Sequence, residues 1–152
     1  VWFSLNGERL GTYNGHNGAI WCIDIDWETQ NFMSGSADAT CKIWDARTAQ
    51  VKYNFESKNA IRSCGFSYSG NIAMYSTDST LGQNCYIILR DLRQSDKAEP
   101  IRQFDVTSMK LSKVTSSIWA NLENTIITGH ETGELITWDL RKKGNEFSIK
   151  IK

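Results

Sequence analysis

Two eleven-residue stretches, Gly35–Asp45 (GSADATCKIWD) and Gly129–Asp139 (GHETGELITWD), follow one pattern. Each begins with glycine followed by serine or histidine, and each ends with Trp-Asp. Neither contains an arrangement of side chains that indicates catalysis. A phrase that recurs in this way indicates a structural repeat, so the rest of the chain should keep a fixed period.

The residues between these stretches form short runs rich in Ile, Val, Thr and aromatic side chains, separated by polar turn clusters. No stretch keeps a period of 3.6 over a dozen residues, which argues against long helices. Asn6-Gly7 lies between two such runs and is a strong signal for a hairpin turn. The sequence therefore predicts an all-β chain of about thirteen short strands, of which twelve belong to the repeats and one, contributed by this hairpin, precedes them.

The repeat is measured at the end of each third strand. Trp2, Trp44, Arg90 and Trp138 stand there, at intervals of 42, 46 and 48 residues. This period predicts the end of one unit in residues 1–14 and complete units in residues 15–56, 57–106 and 107–152, the middle one degenerate. Each complete unit is expected to be a four-stranded antiparallel sheet.

A period near 40–45 residues with Trp-Asp endings resembles the WD40 repeats of β-propellers, in which each sheet is one blade. In that family a histidine, a serine or threonine, an aspartate and the tryptophan form one hydrogen-bonded chain. An indole N–H only donates, so its burial requires an acceptor of this kind. The resemblance implies a structural network of His16, Ser36, Asp38 and Trp44, with Ser34 as the alternative serine.

The other two units depart from this pattern. The middle one has Arg90 in place of tryptophan, and the last has its Gly129-His130 at the end of the second strand, not before Val114. The network is therefore expected only in the first complete unit, with the others held by packing and backbone hydrogen bonds. Arg90 lacks the other partners of the network, so it is expected to contribute little to stability if its guanidinium lies in solvent, and His130 is expected to be a strand-end histidine with a local hydrogen bond.

Several residues are candidates for binding a partner. Loops before the first strands and after the second strands share one rim of such a fold, and this predicts a partner-binding rim of Asn17, Asp38, Arg62, Asp78 and Glu131. Trp21 and Trp27 are expected to pack between blades. Direct RNA binding would depend on Arg141, Lys142, Lys143, Lys150 and Lys152, which are better explained as a solvated turn and a protected edge strand.

Composition and motifs argue against other classes of protein. Lys plus Arg and Asp plus Glu number 17 each, so no general attraction to nucleic acid or membrane is expected. The four cysteines lack C-x-x-C spacing, and no Ser-His-Asp set or phosphate-binding glycine loop is recognisable. We therefore expect no catalytic residues, no metal, no cofactor and a cytoplasmic protein with reduced thiols.

Several longer stretches of the sequence identify a family more specifically than the repeat does. SLNGERLGTY, GSAD, IRSCGFSYSGNIAMYSTD and TSSIWANLENTIITGHETGEL resemble the subunit i family of eukaryotic translation initiation factor three. The resemblance implies a seven-bladed propeller about twice this length, and so a longer protein than this chain. It also implies a non-catalytic scaffold whose partners are subunits b and g and, through the complex, the small ribosomal subunit. A signalling adaptor for a growth-factor receptor kinase is the alternative.

Overall fold

The computed structural model describes residues 2–80, 82–142 and 149–151. Within these ranges the regular structure consists of fourteen strands and no helix. Accordingly, no helix in the described ranges could span a membrane. The strands are β1 (Trp2–Phe3), β2 (Arg9–Gly11), β3 (Ile20–Ile25), β4 (Asn31–Ser36), β5 (Thr40–Asp45), β6 (Val51–Glu56), β7 (Ile61–Phe66), β8 (Ile72–Thr77), β9 (Tyr86–Asp91), β10 (Arg102–Asp105), β11 (Val114–Ala120), β12 (Thr125–His130), β13 (Leu135–Asp139) and β14 (Ile149–Ile151).

Twelve of these strands form three antiparallel sheets in which neighbours in sequence are neighbours in space: β3 to β6, β7 to β10 and β11 to β14. The predicted fold class, three four-stranded blades of a WD40 propeller segment, is confirmed. The hairpin at Asn6-Gly7 contributes two strands rather than the one predicted, because β1 pairs with β2 on either side of the turn. Gly7 lies in that turn with φ of 79°.

The sheets stack face to face and form two apolar cores. The first lies between the β3–β6 and β7–β10 sheets, and its fully buried side chains include Met33, Cys41, Ile43, Ile61 and Tyr75. The second lies between the β7–β10 and β11–β14 sheets, and its fully buried side chains include Met74, Ile87, Ile126, Ile136 and Trp138. Because successive side chains of a strand point to opposite faces of the sheet, the middle sheet contributes to both cores and is buried on both faces.

The outer faces of the first and last sheets are apolar and exposed. Ile23 and Ile25 stand on the outer face of the β3–β6 sheet, and Ile118, Leu135 and Ile151 on that of the β11–β14 sheet. Ile23 is 72% and Ile118 is 61% exposed. These are the faces on which another blade of a propeller would pack.

Each first strand carries a bulge at the same place. The register shifts between Ile20 and Cys22, between Ile61 and Ser63, and between Val114 and Ser116. The extra residue of each bulge is left out of the strand pairing, which frees its side chain for contacts beyond the sheet. The extra residues are Trp21, Arg62 and Thr115.

Close approach between the first two complete sheets requires a glycine in β4. A Cβ at Gly35 would lie 2.5 Å from Sγ of Cys22 and 2.5 Å from Cγ2 of Ile61, which belongs to the next sheet. We expect Gly35→Ala to lower the free energy of unfolding by about 1–3 kcal/mol, because neither neighbour can move without disturbing the core. Urea denaturation of the intact protein measures this.

Gly65→Ala is the matched control. Gly65 is also a buried strand glycine, but the nearest atoms to its added Cβ would lie at 3.5 Å, an ordinary contact. We expect little loss of stability in this variant. Equal losses in both variants would contradict a specific close approach at Gly35.

Candidate functional site

A hydrogen-bonded chain runs through the first complete sheet from its buried tryptophan to a loop carboxylate. Nε1 of Trp44 donates to Oγ of Ser34 at 2.8 Å, and that oxygen lies 2.7 Å from Nε2 of His16. Nδ1 of His16 lies 3.0 Å from Oδ2 of Asp38. Since the indole can only donate, the Ser34 hydroxyl donates onward to His16, and the Nδ1–H of His16 donates to Asp38.

The serine of this chain is Ser34, so the sequence-based choice of Ser36 is wrong. Trp44 stands opposite Phe32 across the β4–β5 pair, and the next residue of β4 on the same face is Ser34. Ser36 is two residues further along the strand, about 6.6 Å away. Its hydroxyl instead accepts the backbone N–H of Asp38 at 3.2 Å.

The Asp38 carboxylate is strongly hydrogen-bonded. Burial raises its pKa, but hydrogen bonds from the Thr40 hydroxyl, the Asn17 backbone, the His16 ring and the Thr40 backbone outweigh burial and hold that pKa well below its usual range. A carboxylate whose pKa is lowered by folding stabilises the folded state above its unfolded pKa of about 4. That contribution is lost as the pH falls toward the folded pKa.

The last sheet contains a second chain of this kind, which the sequence analysis did not expect. Nε1 of Trp138 donates to Oγ1 of Thr128 at 2.9 Å, and that oxygen lies 2.8 Å from Nε2 of His130. Nδ1 of His130 donates to the carbonyl oxygen of Ser112 at 2.6 Å. His130 reaches the network from the end of β12, and a backbone carbonyl takes the place of the carboxylate. The expected local hydrogen bond of His130 is thereby confirmed.

The middle sheet replaces the tryptophan with a partly buried arginine. Arg90 stands where Trp44 stands in the first sheet, and Tyr75 takes the place of Ser34. The guanidinium carbon lies 5.2 Å from the ring centre of Phe55 in the neighbouring sheet, Nε donates to the Tyr75 hydroxyl at 3.4 Å, and Nη1 donates to the Ala98 carbonyl. The condition under which Arg90 would contribute little, a guanidinium in solvent, is therefore not met.

The aspartates that end the third strands cap the turns that follow. Oδ1 of Asp45, Asp91 and Asp139 in each case accepts the backbone N–H of the arginine two residues later, at 3.0 Å. At Asp91, hydrogen bonds from the side chain and backbone of Arg93 lower the pKa to about 2. In all three sheets, the carboxylate of the repeated aspartate is thus engaged in hydrogen bonds that form the turn.

Three of the five predicted rim residues lie in one cluster of ion pairs. Arg62 Nη2 lies 3.1 Å from Oδ2 of Asp78, whose side chain is 4% exposed. Nζ of Lys113 lies 4.0 Å from Oδ1 of Asp78 and 3.4 Å from Oε1 of Glu131, so it connects the two carboxylates. The guanidinium of Arg62 also lies 4.3 Å from the ring centre of Trp21, so this cluster links all three sheets. Ion pairs with a solvent-exposed member contribute little stability. In this cluster the most exposed member is Glu131, whose side chain is 58% exposed.

The other two predicted rim residues form a separate group. The backbone N–H of Asn17 donates to Oδ2 of Asp38 at 2.8 Å, and Asn17 itself is exposed. The sequence analysis missed Lys113, although the repeat contained the signal. Lys113 precedes β11 and Glu131 follows β12, and Val114 pairs with His130, so the two side chains must lie opposite each other.

The remaining candidates are Trp27 and the basic residues near the end of the chain. Trp27 is 76% exposed, so the expectation that it packs between blades is wrong. Arg141 donates two hydrogen bonds to Asp139, from Nε at 2.9 Å and Nη2 at 2.7 Å. Of the proposed RNA-binding lysines, Lys142 is exposed, while Lys143, Lys152 and the side chain of Lys150 lie outside the described residues. In the part of the chain that the structure describes, no cluster of His, Cys, Asp and Glu could hold a metal ion.

The chain from Trp44 to His16 makes a testable prediction about coupling. Trp44→Phe keeps most of the packing but removes a donor from a buried network, and we expect it to lower the free energy of unfolding by about 1–3 kcal/mol. His16→Ala should have an effect of similar size. Because both act through Ser34, the double variant should lose less than the sum of the single losses. Denaturant melts of the three variants of the intact protein measure this, and strictly additive or neutral effects would contradict the network.

Arg90 gives a second prediction, with Arg93 as its matched control. Arg90→Ala removes a cation–π contact and two hydrogen bonds at the boundary between sheets, and we expect a loss of about 1–2 kcal/mol. Arg93 is exposed, and its side chain hydrogen-bonds to the Asp91 carboxylate within the same turn. Arg93→Ala should therefore change stability little. If the two variants unfold at the same denaturant concentration, Arg90 does not stabilise this boundary.

Comparison with known proteins agrees with the geometry. The family described as WD domain, G-beta repeat matches residues 7–45. Proteins named eukaryotic translation initiation factor 3 subunit I are 48% identical over 144 residues in Drosophila mojavensis, 46% over 154 residues in Bombyx mori and 45% over 150 residues in Danio rerio. These matches cover 93%, 99% and 99% of this chain, and 44%, 46% and 43% of the relatives.

The chain thus spans less than half the length of the curated relatives that it matches. The Trp-Asp strand ends, the four-stranded sheets and the buried tryptophan networks are all features of one repeat family. We conclude that this chain matches the WD40 repeat family at residues 7–45 and is similar, over nearly its whole length, to subunit I of eukaryotic translation initiation factor 3.

Proposed function

We propose that this chain is part of a non-catalytic WD40 scaffold subunit of eukaryotic translation initiation factor 3, acting through protein–protein contacts in translation initiation. The observation that carries the proposal is the identity of 45–48% to subunit I over 93–99% of the chain. A generic WD40 repeat shares only periodic glycines, apolar residues and Trp-Asp endings, whereas these matches extend across the degenerate middle sheet as well.

The polar chemistry of the described residues supports a scaffold over an enzyme. The repeated aspartates cap turns, and His16 and His130 are held within structural networks. An active site needs acids and bases that are near one another and free to exchange protons with a substrate. Here the aspartates and histidines are already engaged in hydrogen bonds that hold strands and turns in place. Such a role is typical of a structural scaffold.

We infer that the whole protein is a seven-bladed propeller in which residues 1–14 end one blade and residues 15–56, 57–106 and 107–152 form the next three. The apolar outer faces at Ile23 and Ile118 support additional blades on both sides, because exposed apolar sheet faces promote association. About seven blades of this length correspond to roughly twice the present chain.

The partners we propose are subunits b and g of the factor and, through the complex, the small ribosomal subunit, in the cytoplasm. The rim that carries Asn17, Arg62, Asp78 and Glu131 is proposed as one of the binding surfaces. Its clustered charges give it a pattern that a partner of complementary charge could recognise.

Co-purification tests the proposed function. We expect the tagged intact protein to recover subunits b and g from cytosol at low salt, whereas an unrelated tagged WD40 protein should not. Glu131→Lys should reduce recovery, since it reverses a charge on the rim, while Glu99→Lys, an exposed carboxylate in a different loop, should not. Recovery of neither subunit by the unmodified protein would overturn the assignment. If Glu131→Lys recovers the subunits as well as Glu99→Lys and the unmodified protein do, the rim is excluded as a binding surface.

A further inference from the structure

The turns between the first and second strands lie on the rim opposite to the charged one. These turns, residues 26–30, 67–71 and 121–124, bring three consecutive sheets together around a groove of about 590 Å³. We call it the turn groove. Its lining is Asp24, Ile25, Asp26, Trp27, Thr29, Phe66, Ser67, Tyr68, Trp119, Ala120, Asn121, Leu122 and Glu123.

Each of the three turns exposes one large apolar side chain at this groove. Trp27 is 76%, Tyr68 is 56% and Leu122 is 71% exposed, and the rings of Trp27 and Tyr68 are 5.6 Å apart. Blades of a propeller pack through their sheet faces, so another blade would cover Ile23 but not side chains at the tips of turns. The exposure of these three side chains therefore indicates a binding partner other than a blade of the propeller.

The third turn has an unusual backbone that presents Leu122. In the first turn Oδ1 of Asp26 accepts two backbone N–H groups, and in the second Oγ of Ser67 accepts one. The equivalent residue in the third turn is Ala120, whose side chain cannot accept a hydrogen bond. There Asn121, Leu122 and Glu123 have φ values of 50°, 46° and 72°, a left-handed conformation that is unfavourable for leucine.

The turn is held in this conformation from the neighbouring sheet. The carboxylate of Glu123 accepts the backbone N–H of Ser69 in the second turn, and the N–H of Asn124 donates to the Asn121 carbonyl at 3.1 Å. Strained backbone that the surrounding structure maintains is found most often at binding and catalytic sites. Leu122 thus lies beside the groove in a turn that Glu123 ties to the second turn.

The charges at the groove have one sign. Three of its lining residues are carboxylates, Asp24, Asp26 and Glu123, and none of the described residues that line it is a lysine or arginine. Arg93 acts electrostatically on Glu123, but its guanidinium is paired with Asp91 at 2.6 Å. An apolar surface within a negative field favours a ligand that combines apolar and positive groups.

We propose that the turn groove binds a segment of a partner protein that carries an aromatic or long aliphatic side chain next to lysine or arginine. The apolar side chain contacts Trp27, Tyr68 and Leu122, and the positive groups lie over the aromatic rings and near the carboxylates. This inference deepens the proposed scaffold function and rests on it, because it gives the chemistry of a segment that the scaffold would bind.

Selection from a random peptide library on the immobilised intact protein tests the groove whatever the identity of the partner. We expect enriched peptides to combine aromatic or aliphatic residues with lysine or arginine. Trp27→Ala, Tyr68→Ala and Leu122→Ser should each weaken binding of these peptides about tenfold or more, as loss of a central apolar anchor does. Leu5→Ser, which alters an exposed leucine in the β1–β2 turn, should leave binding unchanged. Binding should also weaken as salt rises.

Peptides that bind all of these variants equally, or that lack basic residues, would overturn the proposal, as would a selection that yields no binder. Melting curves of the variants identify any that fail to fold, and the remaining groove variants then decide. Co-purification separates this inference from the proposed function. If subunits b and g are recovered but no groove-dependent peptide is found, the groove proposal fails alone. If such peptides are found but neither subunit is recovered, the initiation-factor assignment fails alone.

Discussion

A buried indole N–H at the end of the third strand is the constraint on which much of this structure depends. Trp44 and Trp138 are each 1% exposed or less, and an N–H group buried away from water must find an acceptor. A strand residue on the same face supplies the hydroxyl, and the hydroxyl needs an acceptor for its own proton. A histidine meets this need in both cases, so one buried donor fixes a strand, a hydroxyl and an imidazole together.

The two solutions differ in what they hold in place. In the first sheet the histidine comes from the loop before β3, so the network also fixes that loop and the turn that contains Asp38. In the last sheet His130 comes from β12 itself and ends on the Ser112 carbonyl, so the loop is held through its backbone. The middle sheet has no indole at this position, and Arg90 instead contacts Phe55 across the boundary and hydrogen-bonds to Tyr75 and Ala98 within its own unit. The same position in the repeat therefore always ties a third strand to something beyond that strand.

The period of the repeat predicted the sheets because strand length and alternation are local properties of the sequence. The resemblance to WD40 repeats implied most of the first network, since His16, Asp38 and Trp44 match the places that the family pattern gives to its histidine, aspartate and tryptophan. It did not distinguish Ser34 from Ser36, because both lie on the same face of β4 and only the register with β5 separates them. The role of His130 was missed because its ring nitrogens meet partners in two different segments of the chain. The turn at Leu122 was missed because only Asn121, of its three residues with positive φ, is of a type that readily adopts this conformation.

The two rims of the stack differ in chemistry, and the strands between them explain why. The rim next to His16 and Asp78 collects loops whose polar groups are already bound to one another, so its side chains are charged but neutralised in pairs. The opposite rim is formed by tight turns that use Asp26 and Ser67 to satisfy their own backbones, which leaves the turn tips free to carry apolar residues. The stack of sheets thus separates a paired-charge surface from an apolar, acidic one. That separation is a property of the blades rather than of any single residue, and it follows from strands that run the full distance between the two rims.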